Sequence, residues 1–279
     1  DREREFIARY QYNITSVTDD QPFFFKFYRV RDIFGTETGT GGYLDAIKPI
    51  GFVILVAALI QSLLLGCAFI LYPLWRFKRS GLQMKGAGKI AVYFAALGLG
   101  FMFIEVTLMQ KFVLFLGHPS YSISVTLAGL LLFSGIGSIT AGRLRWNPRR
   151  TILLATLGVA TATLIYLAML PPLFKLMIGA PHTMRIVITI VLIAPIGMLM
   201  GMPFPTGLAY VRKAALPFVP WAFGINGTFS VVASVLCILI AMAYGFAVVT
   251  GLAAATYVAG GIALCTLKIH EPAKDSPPL

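Results

Sequence analysis

The sequence is poor in charge, and this scarcity excludes several classes of protein. Only 12% of its 279 residues are charged, against about 25% in an ordinary soluble domain. Its hydrophobic content is 58%, more apolar surface than a soluble chain of this length could hide from water. A soluble globular enzyme is therefore excluded, and the mean hydropathy of +0.82 indicates a membrane protein.

Cysteine is scarce as well. The three cysteines, Cys67, Cys237 and Cys265, lie far apart inside apolar stretches. Their spacing matches neither a metal site nor a disulfide framework, so we interpret them as buried small side chains. We expect no metal and no cofactor to be bound by this chain. Residues 1–10 also lack the apolar core of a signal peptide.

Long apolar runs, by contrast, are abundant. A helix needs about 20 consecutive apolar residues to cross a bilayer. The last run is 54 residues long, enough for two helices with a turn near Tyr244-Gly245-Phe246. The runs lack the alternation of a β-barrel, so the sequence predicts an all-α, polytopic transmembrane helix bundle of about seven spans. The runs are Ile50–Trp75, Ile90–Met109, Tyr121–Gly142, Thr151–Phe174, Ile186–Val211 and Ala214–Leu267.

The polar residues divide the chain into three parts. Residues 1–49 hold 7 basic and 8 acidic residues and form a short polar N-terminal segment or linker, which we expect to be the tail end of an upstream domain. Residues 50–268 form the transmembrane bundle, and residues 269–279 form a polar C-terminal tail. The chain begins at Asp1 rather than Met, and a processed product and part of a longer protein are both open interpretations of that start.

The basic residues between the runs predict the topology. Loops 76–89, 143–150 and 211–217 carry five, four and two basic residues, whereas the opposite loops 110–120 and 172–185 carry one and two. The positive-inside rule places the first set in the cytoplasm, so both termini of a seven-span chain lie outside. The net charge of +12 is then a topology signal, and we expect no nucleic-acid partner.

Small residues spaced by four indicate where helices approach closely. Such residues let helix backbones pack when lipid supplies no hydrophobic drive for association. A dimer face is one interpretation, and packing within a single bundle is the favoured one. We find no internal repeat that would support an inverted-repeat transporter. The stripes are Ser134, Ser138 and Gly142; Gly197 and Gly201; and Gly251, Ala255 and Ala259.

Glu105 is the strongest candidate for a functional residue. An acid inside a membrane helix costs several kcal/mol unless it is paired, protonated or close to water. The alternatives are a structural hydrogen bond to another helix and a position near the membrane interface. Asn226 is the one strongly polar side chain of the 54-residue run. Buried amides seek partners, so we expect Asn226 to bond Glu105 or a break in a helix.

Two pairs of prolines interrupt the runs. Pro171 and Pro172 predict the end of the fourth helix, because proline cannot continue the helical hydrogen-bond ladder. Pro203 and Pro205 break the fifth run, and breaks are tolerated in membranes where protein or a cavity satisfies the freed carbonyls. This second pair predicts a site, a hinge or a plain kink.

Polar residues near the membrane edge complete the candidates. His118 stands beside a proline that begins the next helix, where a proton relay is one hypothesis and a capping or interfacial histidine is the favoured one. Asp19 and Asp20 form a carboxylate pair that could bind a cation or an amine, although a turn before Pro22 also explains them.

Six motifs follow one another along the chain: Thr18–Phe24, Leu97–Glu105, Gln110–Pro119, Leu130–Ser138, Gly201–Leu208 and Trp221–Gly227. Together they resemble the carboxy-terminal membrane portion of bacterial spermidine synthase-like membrane proteins, and the resemblance covers about residues 15–265. In that family, a domain similar to aminopropyltransferases and S-adenosylmethionine-dependent methyltransferases precedes the membrane region. The family commonly has Arg after the acidic pair, where this chain has Gln21.

The resemblance implies a membrane anchor with a site for a lipid or amine substrate, in the bacterial inner membrane. The glycine-rich nucleoside loop and catalytic aspartates of the transferase domain are missing here, so no catalytic residue is carried over. Any aminopropyl- or methyltransferase activity would belong to an upstream nucleotide-binding-like domain. The topology conflicts with that activity, because it places residues 1–49 outside, where S-adenosylmethionine is not expected.

Two further hypotheses stay open. The first is a transporter or flippase that uses Glu105, with Asn226 and the break at Pro203 and Pro205 in the same bundle. The second is a non-catalytic subunit of a larger membrane complex, supported by the small-residue stripes. The expected partners are the lipid bilayer, other membrane subunits and an upstream nucleotide-binding-like domain.

Overall fold

Helices make up nearly all of the described structure. The computed structural model describes residues 17–23, 50–84, 86–144 and 147–267. Within these ranges there is no strand, only an isolated bridge between Thr18 and Gln21. The helices are α1 (Gly51–Phe77, with a π-helical stretch at Cys67–Leu71), α2 (Ala87–Leu116), α3 (Pro119–Arg143), α4 (Pro148–Met177), α5 (His182–Gly201), α6 (Pro203–Ala214), α7 (Val219–Tyr244) and α8 (Phe246–Cys265), with short 3-10 turns at Arg79–Gly81 and Leu216–Phe218.

The predicted all-α bundle with seven spans is confirmed. Seven helical segments are long and apolar enough to cross a membrane, and α5 and α6 together make the fifth. The turn expected in the last run lies at Gly245, where a φ of +93° requires the left-handed region that glycine enters freely. The predicted C-terminal tail (269–279) and most of the polar segment (1–49) lie outside the described residues.

The prediction that Pro171 and Pro172 end the fourth helix is wrong. Helix α4 continues through both prolines to Met177. Each proline removes one i to i−4 hydrogen bond, but the residues after them still donate theirs. Ending the helix at membrane depth would leave more backbone groups unpaired in lipid, which costs more than the two lost bonds.

Helix α2 occupies the centre of the bundle. It packs mainly between α7 and α8, while α3 packs against α5 and α4 packs against α8. The main partner of α1 is α7. Aromatic side chains of α2 fill this centre, and Tyr93, Phe94 and Phe112 are fully buried. The core is therefore built around one helix rather than shared evenly among seven.

Small residues govern the closest helix contacts inside the bundle. A Cβ on Gly201 of α5 would meet the Ser134 backbone of α3, and one on Gly137 of α3 would meet the Met198 backbone of α5. The stripe of Gly197 and Gly201 therefore packs against Ser134 within one bundle, as favoured, whereas Gly142 of the α3 stripe is exposed and has open surroundings. The α8 stripe does not pack within the bundle, because a Cβ on Gly251 would meet no atom within 4 Å and Ala255 is exposed.

The two ends of the bundle are distinct. At one end, the Lys89 ammonium donates to the Thr266 carbonyl at 3.1 Å. At the other end, the Phe246 N–H donates to the Asp20 carbonyl at 3.0 Å. Residues 17–23 therefore lie at the end opposite the basic loops. The alternation of these loops with the poorly charged ones follows from the seven spans.

The cysteines differ in their surroundings. Cys237 is fully buried in α7, as interpreted from the sequence, whereas Cys265 is only half-buried. Cys67 is exposed on α1, which corrects the expectation for that residue. An apolar run does not distinguish a side chain that faces another helix from one that faces lipid.

Candidate functional site

A groove of about 470 Å³ lies near the middle of the bundle, where α2, α3 and α7 meet the junction of α5 and α6. We call it the midplane groove, because Phe101, which lines it, lies halfway along the 30-residue α2. Half of the residues that line it, Tyr257 included, are aliphatic or aromatic. The other half, which are polar or expose the backbone, are Ser134, Gly135, Ser138, Gly201, Pro205, Asn226 and Ser230.

The junction of α5 and α6 forms one wall of the groove. Pro205 has no N–H, so it cannot donate to the Gly201 carbonyl four residues earlier, and both residues line the groove. The Met202 backbone remains in the right-handed helical region, with φ −80° and ψ −41°. The helical hydrogen-bond ladder is therefore interrupted here without unwinding, and this proline kink lies in the wall of a cavity.

Buried side chains hold this kink in place. The hydroxyl of Tyr93, a fully buried residue of α2, donates to the Pro203 carbonyl. The Thr206 hydroxyl donates to the Met202 carbonyl at 2.8 Å, and the Thr206 N–H donates to the same carbonyl at 3.3 Å. Two carbonyls at the break are thus bonded, that of Pro203 from α2 and that of Met202 from α6, and both bonds support this wall of the groove.

Asn226 contributes an amide to the groove from α7. Its Nδ2 donates to the Phe94 carbonyl of α2 at 3.2 Å, so the expected bond to Glu105 or to a helix break is absent. Gly98 makes this approach feasible, since a Cβ there would lie 3.1 Å from the Ser230 hydroxyl. Among the described residues nothing donates to the Asn226 Oδ1, which leaves an acceptor at the groove.

Glu105 lies close to the groove but does not line it. It is half-buried on α2 and makes no hydrogen bond within the described part of the chain. It follows Phe101 and Met102, two lining residues, by four and three positions, so it shares their face of the helix. Glu105 is therefore one helical turn from the groove, toward the end where residues 17–23 bind.

His118 lies far from the groove, immediately before the first residue of α3. Its side chain makes no capping hydrogen bond, which corrects the favoured interpretation in that detail. The residue is exposed, and its ring packs edge-to-face against Tyr121 and His182, with centroids 6.0 and 6.2 Å apart. The structure thus brings together Asn226 and Pro205 but leaves His118 apart from them.

The segment Thr18–Phe23, which we call the strap, binds the start of α8. The Asp20 carboxylate accepts from the Ala247 N–H at 2.8 Å, and Phe23 stacks on Phe246 with centroids 6.0 Å apart. The Gln21 N–H donates to the Thr18 carbonyl, so the predicted turn before Pro22 is present. Asp20 also supplies the N-terminal cap of a helix 227 positions away, a role that sequence reasoning missed.

The groove also contains residues that sequence reasoning missed. Ser230 lies four positions after Asn226, and this helical spacing could have marked it as part of the same face. The spacing of Ser134 and Ser138 on α3 predicts only packing residues, and the structure places both in the groove lining. Within the described ranges, no three His, Cys, Asp or Glu side chains come together in a way that could hold a metal ion.

The fold and groove define a multi-pass membrane helix bundle with an internal amphipathic cavity. No protein-family model matches the chain, and no curated protein and no solved structure is significantly similar to it. Any functional assignment therefore depends on the groove, the strap and the sequence motifs.

Proposed function

We propose that this chain is the membrane domain of a spermidine synthase-like protein of the bacterial inner membrane, and that its midplane groove receives a lipidic substrate from the bilayer. One observation carries the substrate site: an amphipathic groove lies halfway along the helices and is accessible from the side of the bundle. Leu131, which lines the groove, is 68% exposed on the outer surface of α3.

The lining favours a ligand with a long apolar part and a small polar group. Ligand sites are mostly apolar, with a few polar groups that fix orientation. Here Ser134, Ser138 and Ser230 supply hydroxyls, and Asn226 supplies an amide oxygen. A glycerol-ester or hydroxyl region of a lipid would satisfy these groups while its chain follows the aromatic wall.

The lining gives less support to an amine substrate. None of the described residues that line the groove is acidic, and Glu105 is a helical turn away. An ammonium group at membrane depth needs a charged or strongly polar partner, because its desolvation is costly. Of the two expected substrate classes, a lipid is therefore the one we propose for the groove.

Filling the groove tests this proposal. Gly135 lines the groove, and a Cβ at Gly135 would meet no atom within 4 Å, so Gly135→Leu adds bulk without a clash. Gly142 has equally open surroundings on the same helix but does not line the groove, so Gly142→Leu is the matched control. Both variants would be purified in nanodiscs that contain a phospholipid with a photoreactive acyl chain.

We expect the native chain and Gly142→Leu to be labelled on groove peptides, as located by mass spectrometry. Labelling of Gly135→Leu should fall about tenfold, since the bulky side chain occupies the space of the ligand. Equal labelling of all three proteins would contradict the groove as a lipid site, without affecting the proposed membrane-anchor role.

The family assignment has its own test. The proposal expects the gene to encode a nucleotide-binding-like domain immediately upstream of the codon for Asp1. Reading the genomic open reading frame decides this, and a start codon at that position would contradict the assignment.

The orientation of the bundle can be measured by cysteine labelling. We propose that the basic loops 76–89, 143–150 and 211–217 face the cytoplasm, and Ser80 is exposed in the first of them. Ser80→Cys should resist a membrane-impermeant maleimide in intact cells, whereas Ser120→Cys, exposed at the opposite end, should react. The reverse pattern would place the strap, and any domain upstream of it, in the cytoplasm.

A transporter or flippase is the second candidate, favoured by the position of Glu105. Its carboxyl group has no hydrogen-bond partner among the described residues and lies a turn from the groove. In proteoliposomes with a fluorescent phospholipid, Glu105→Gln should abolish lipid exchange between leaflets, and Glu105→Asp should retain part of it. Unchanged exchange in Glu105→Gln with intact folding would argue against this candidate.

A further inference from the structure

A second cavity, separate from the midplane groove, lies at the end of the bundle where the strap binds. It has a volume of about 210 Å³ and lies between the ends of α2 and α4. We call it the end pocket. The residues that matter for its chemistry are Asp19, Lys111, Leu114, Phe174, Lys175 and Ile178.

Lys111 is the most constrained charge in the end pocket. Its side chain is only 12% exposed, and its Nζ lies 4.0 Å from the Asp20 carboxylate. That separation is longer than a hydrogen bond, and the same Asp20 oxygen already accepts from the Ala247 N–H. An ammonium group has three donors, so Lys111 retains hydrogen-bonding capacity that faces the pocket.

The end pocket has an apolar wall toward the lipid-facing surface and charged groups at the end of the bundle, which is the arrangement that a bound lipid requires. Phe115 and Phe174 stack with centroids 4.3 Å apart and form an apolar wall. Leu114 and Ile178 are 41% and 63% exposed and continue this wall toward the lipid-facing surface. The charged groups lie at the bundle end, where a headgroup lies when its acyl chains point into the bilayer.

The charges are arranged for a ligand that carries both signs. Lys111 and Lys175 approach from different helices, whereas Asp19 comes from the strap and is exposed. An anion alone would meet the Asp19 carboxylate, and a cation alone would meet two ammonium groups. A phosphate beside a primary ammonium satisfies all three, because both charges find an opposite partner.

We propose that the end pocket binds a zwitterionic aminophospholipid, with its phosphate between Lys111 and Lys175 and its ammonium group at Asp19. The acyl chains then lie along Leu114, Phe174 and Ile178. This site goes beyond the midplane groove and does not depend on what the groove binds. The strap supplies part of it, so binding of the lipid also holds the strap on the bundle.

The test uses the full chain in nanodiscs of phosphatidylcholine with a small fraction of headgroup-photoreactive phosphatidylethanolamine or phosphatidylglycerol. We expect the phosphatidylethanolamine probe to label the ends of α2 and α4 in preference to phosphatidylglycerol. Lys175→Gln should lower labelling by both probes about tenfold, because the phosphate loses a charged donor. Lys213→Gln, an exposed change at the opposite end, is the matched control and should leave labelling unchanged.

Asp19→Asn distinguishes a zwitterionic headgroup from an anionic one. Without the carboxylate, the preference for phosphatidylethanolamine over phosphatidylglycerol should disappear, and Asp19→Lys should reverse it. The proposal is overturned if the native chain prefers phosphatidylglycerol, if Asp19→Asn keeps the original preference, or if Lys175→Gln labels like Lys213→Gln. Because these exposed substitutions lie outside the packed core, thermal unfolding of each variant should match the native chain. Gly135→Leu should leave end-pocket labelling intact, which separates this test from that of the groove.

Discussion

Helices α1 and α2 follow one another in the chain but occupy opposite environments. Only 6% of the most apolar stretch of α1 is buried in the bundle, against 56% in α2. The more buried helix is the less apolar of the two. In lipid, apolar side chains gain nothing by leaving the solvent, so helices associate through close packing and hydrogen bonds.

The composition of α2 explains its central place. Gly98 allows α7 to approach and Gly100 allows α8 to approach, while Tyr93 bonds the kink beyond them. Helix α1 offers α7 a much smaller contact, in which Gly66 meets the Thr228 side chain and Leu74 meets Gly224. Hydropathy therefore identifies the spans, whereas small and polar residues decide which span becomes the core.

The largest expected effect comes from a bulky side chain placed where α2 and α7 approach most closely. A side chain at Gly98 would collide with the Asn226 carbonyl, so Gly98→Leu should destabilise the bundle by about 3 kcal/mol or more. The matched change in α1 is Gly51→Leu, where the new side chain meets nothing within 4 Å and should cost less than about 0.5 kcal/mol. Thermal unfolding in mild detergent, followed by the reactivity of buried Cys237, measures both. Equal shifts in melting temperature would remove the distinction between the two helices.

A smaller effect is expected from a single hydroxyl. Tyr93→Phe removes the donor to the Pro203 carbonyl and leaves that acceptor buried, which should cost about 1–3 kcal/mol. Tyr72→Phe, an exposed tyrosine of α1, should cost less than about 0.5 kcal/mol. The same unfolding assay applies, and a Tyr93→Phe variant as stable as the native chain would mean that the kink holds without this bond.

The smallest expected effect tests whether another membrane helix covers the exposed face of α1. Leu64 is 64% exposed, so Leu64→Ala should change the stability of the isolated chain by less than about 0.5 kcal/mol. Leu97→Ala in α2 removes buried packing and should cost about 2 kcal/mol. Repeating the measurement on protein extracted with its native membrane partners tests the subunit hypothesis. A cost at Leu64 in that preparation alone would indicate that another membrane helix covers α1.

The architecture could be predicted from the sequence because the bilayer sets a length for every span. Six apolar runs and the glycine near Tyr244 were enough to predict seven helices and the last turn. Pro171 and Pro172 led to the wrong prediction of a helix end. Their tendency to break a helix is weaker here than the cost of leaving further backbone groups without hydrogen bonds.

The residues of the groove could be predicted from the sequence only in part. Asn226 and Pro205 could be chosen because polar and helix-breaking residues are rare inside apolar runs. Their meeting with Ser134 and Ser138 depends on how α3, α5 and α7 pack, which local periodicity does not specify. The bond from Asn226 to the Phe94 carbonyl, and the pairing of Asp20 with the start of α8, are tertiary contacts without a local signature.

The cap that Asp20 places on α8 has a consequence for biosynthesis. The ribosome releases Asp20 long before it makes Ala247, its partner 227 positions later. Until then the first turn of α8 cannot gain this partner. The strap therefore stays unattached while the membrane insertion machinery inserts the first six spans. We expect attachment of the strap to mark the end of assembly, so that a chain truncated before α8 keeps its strap free and sensitive to protease.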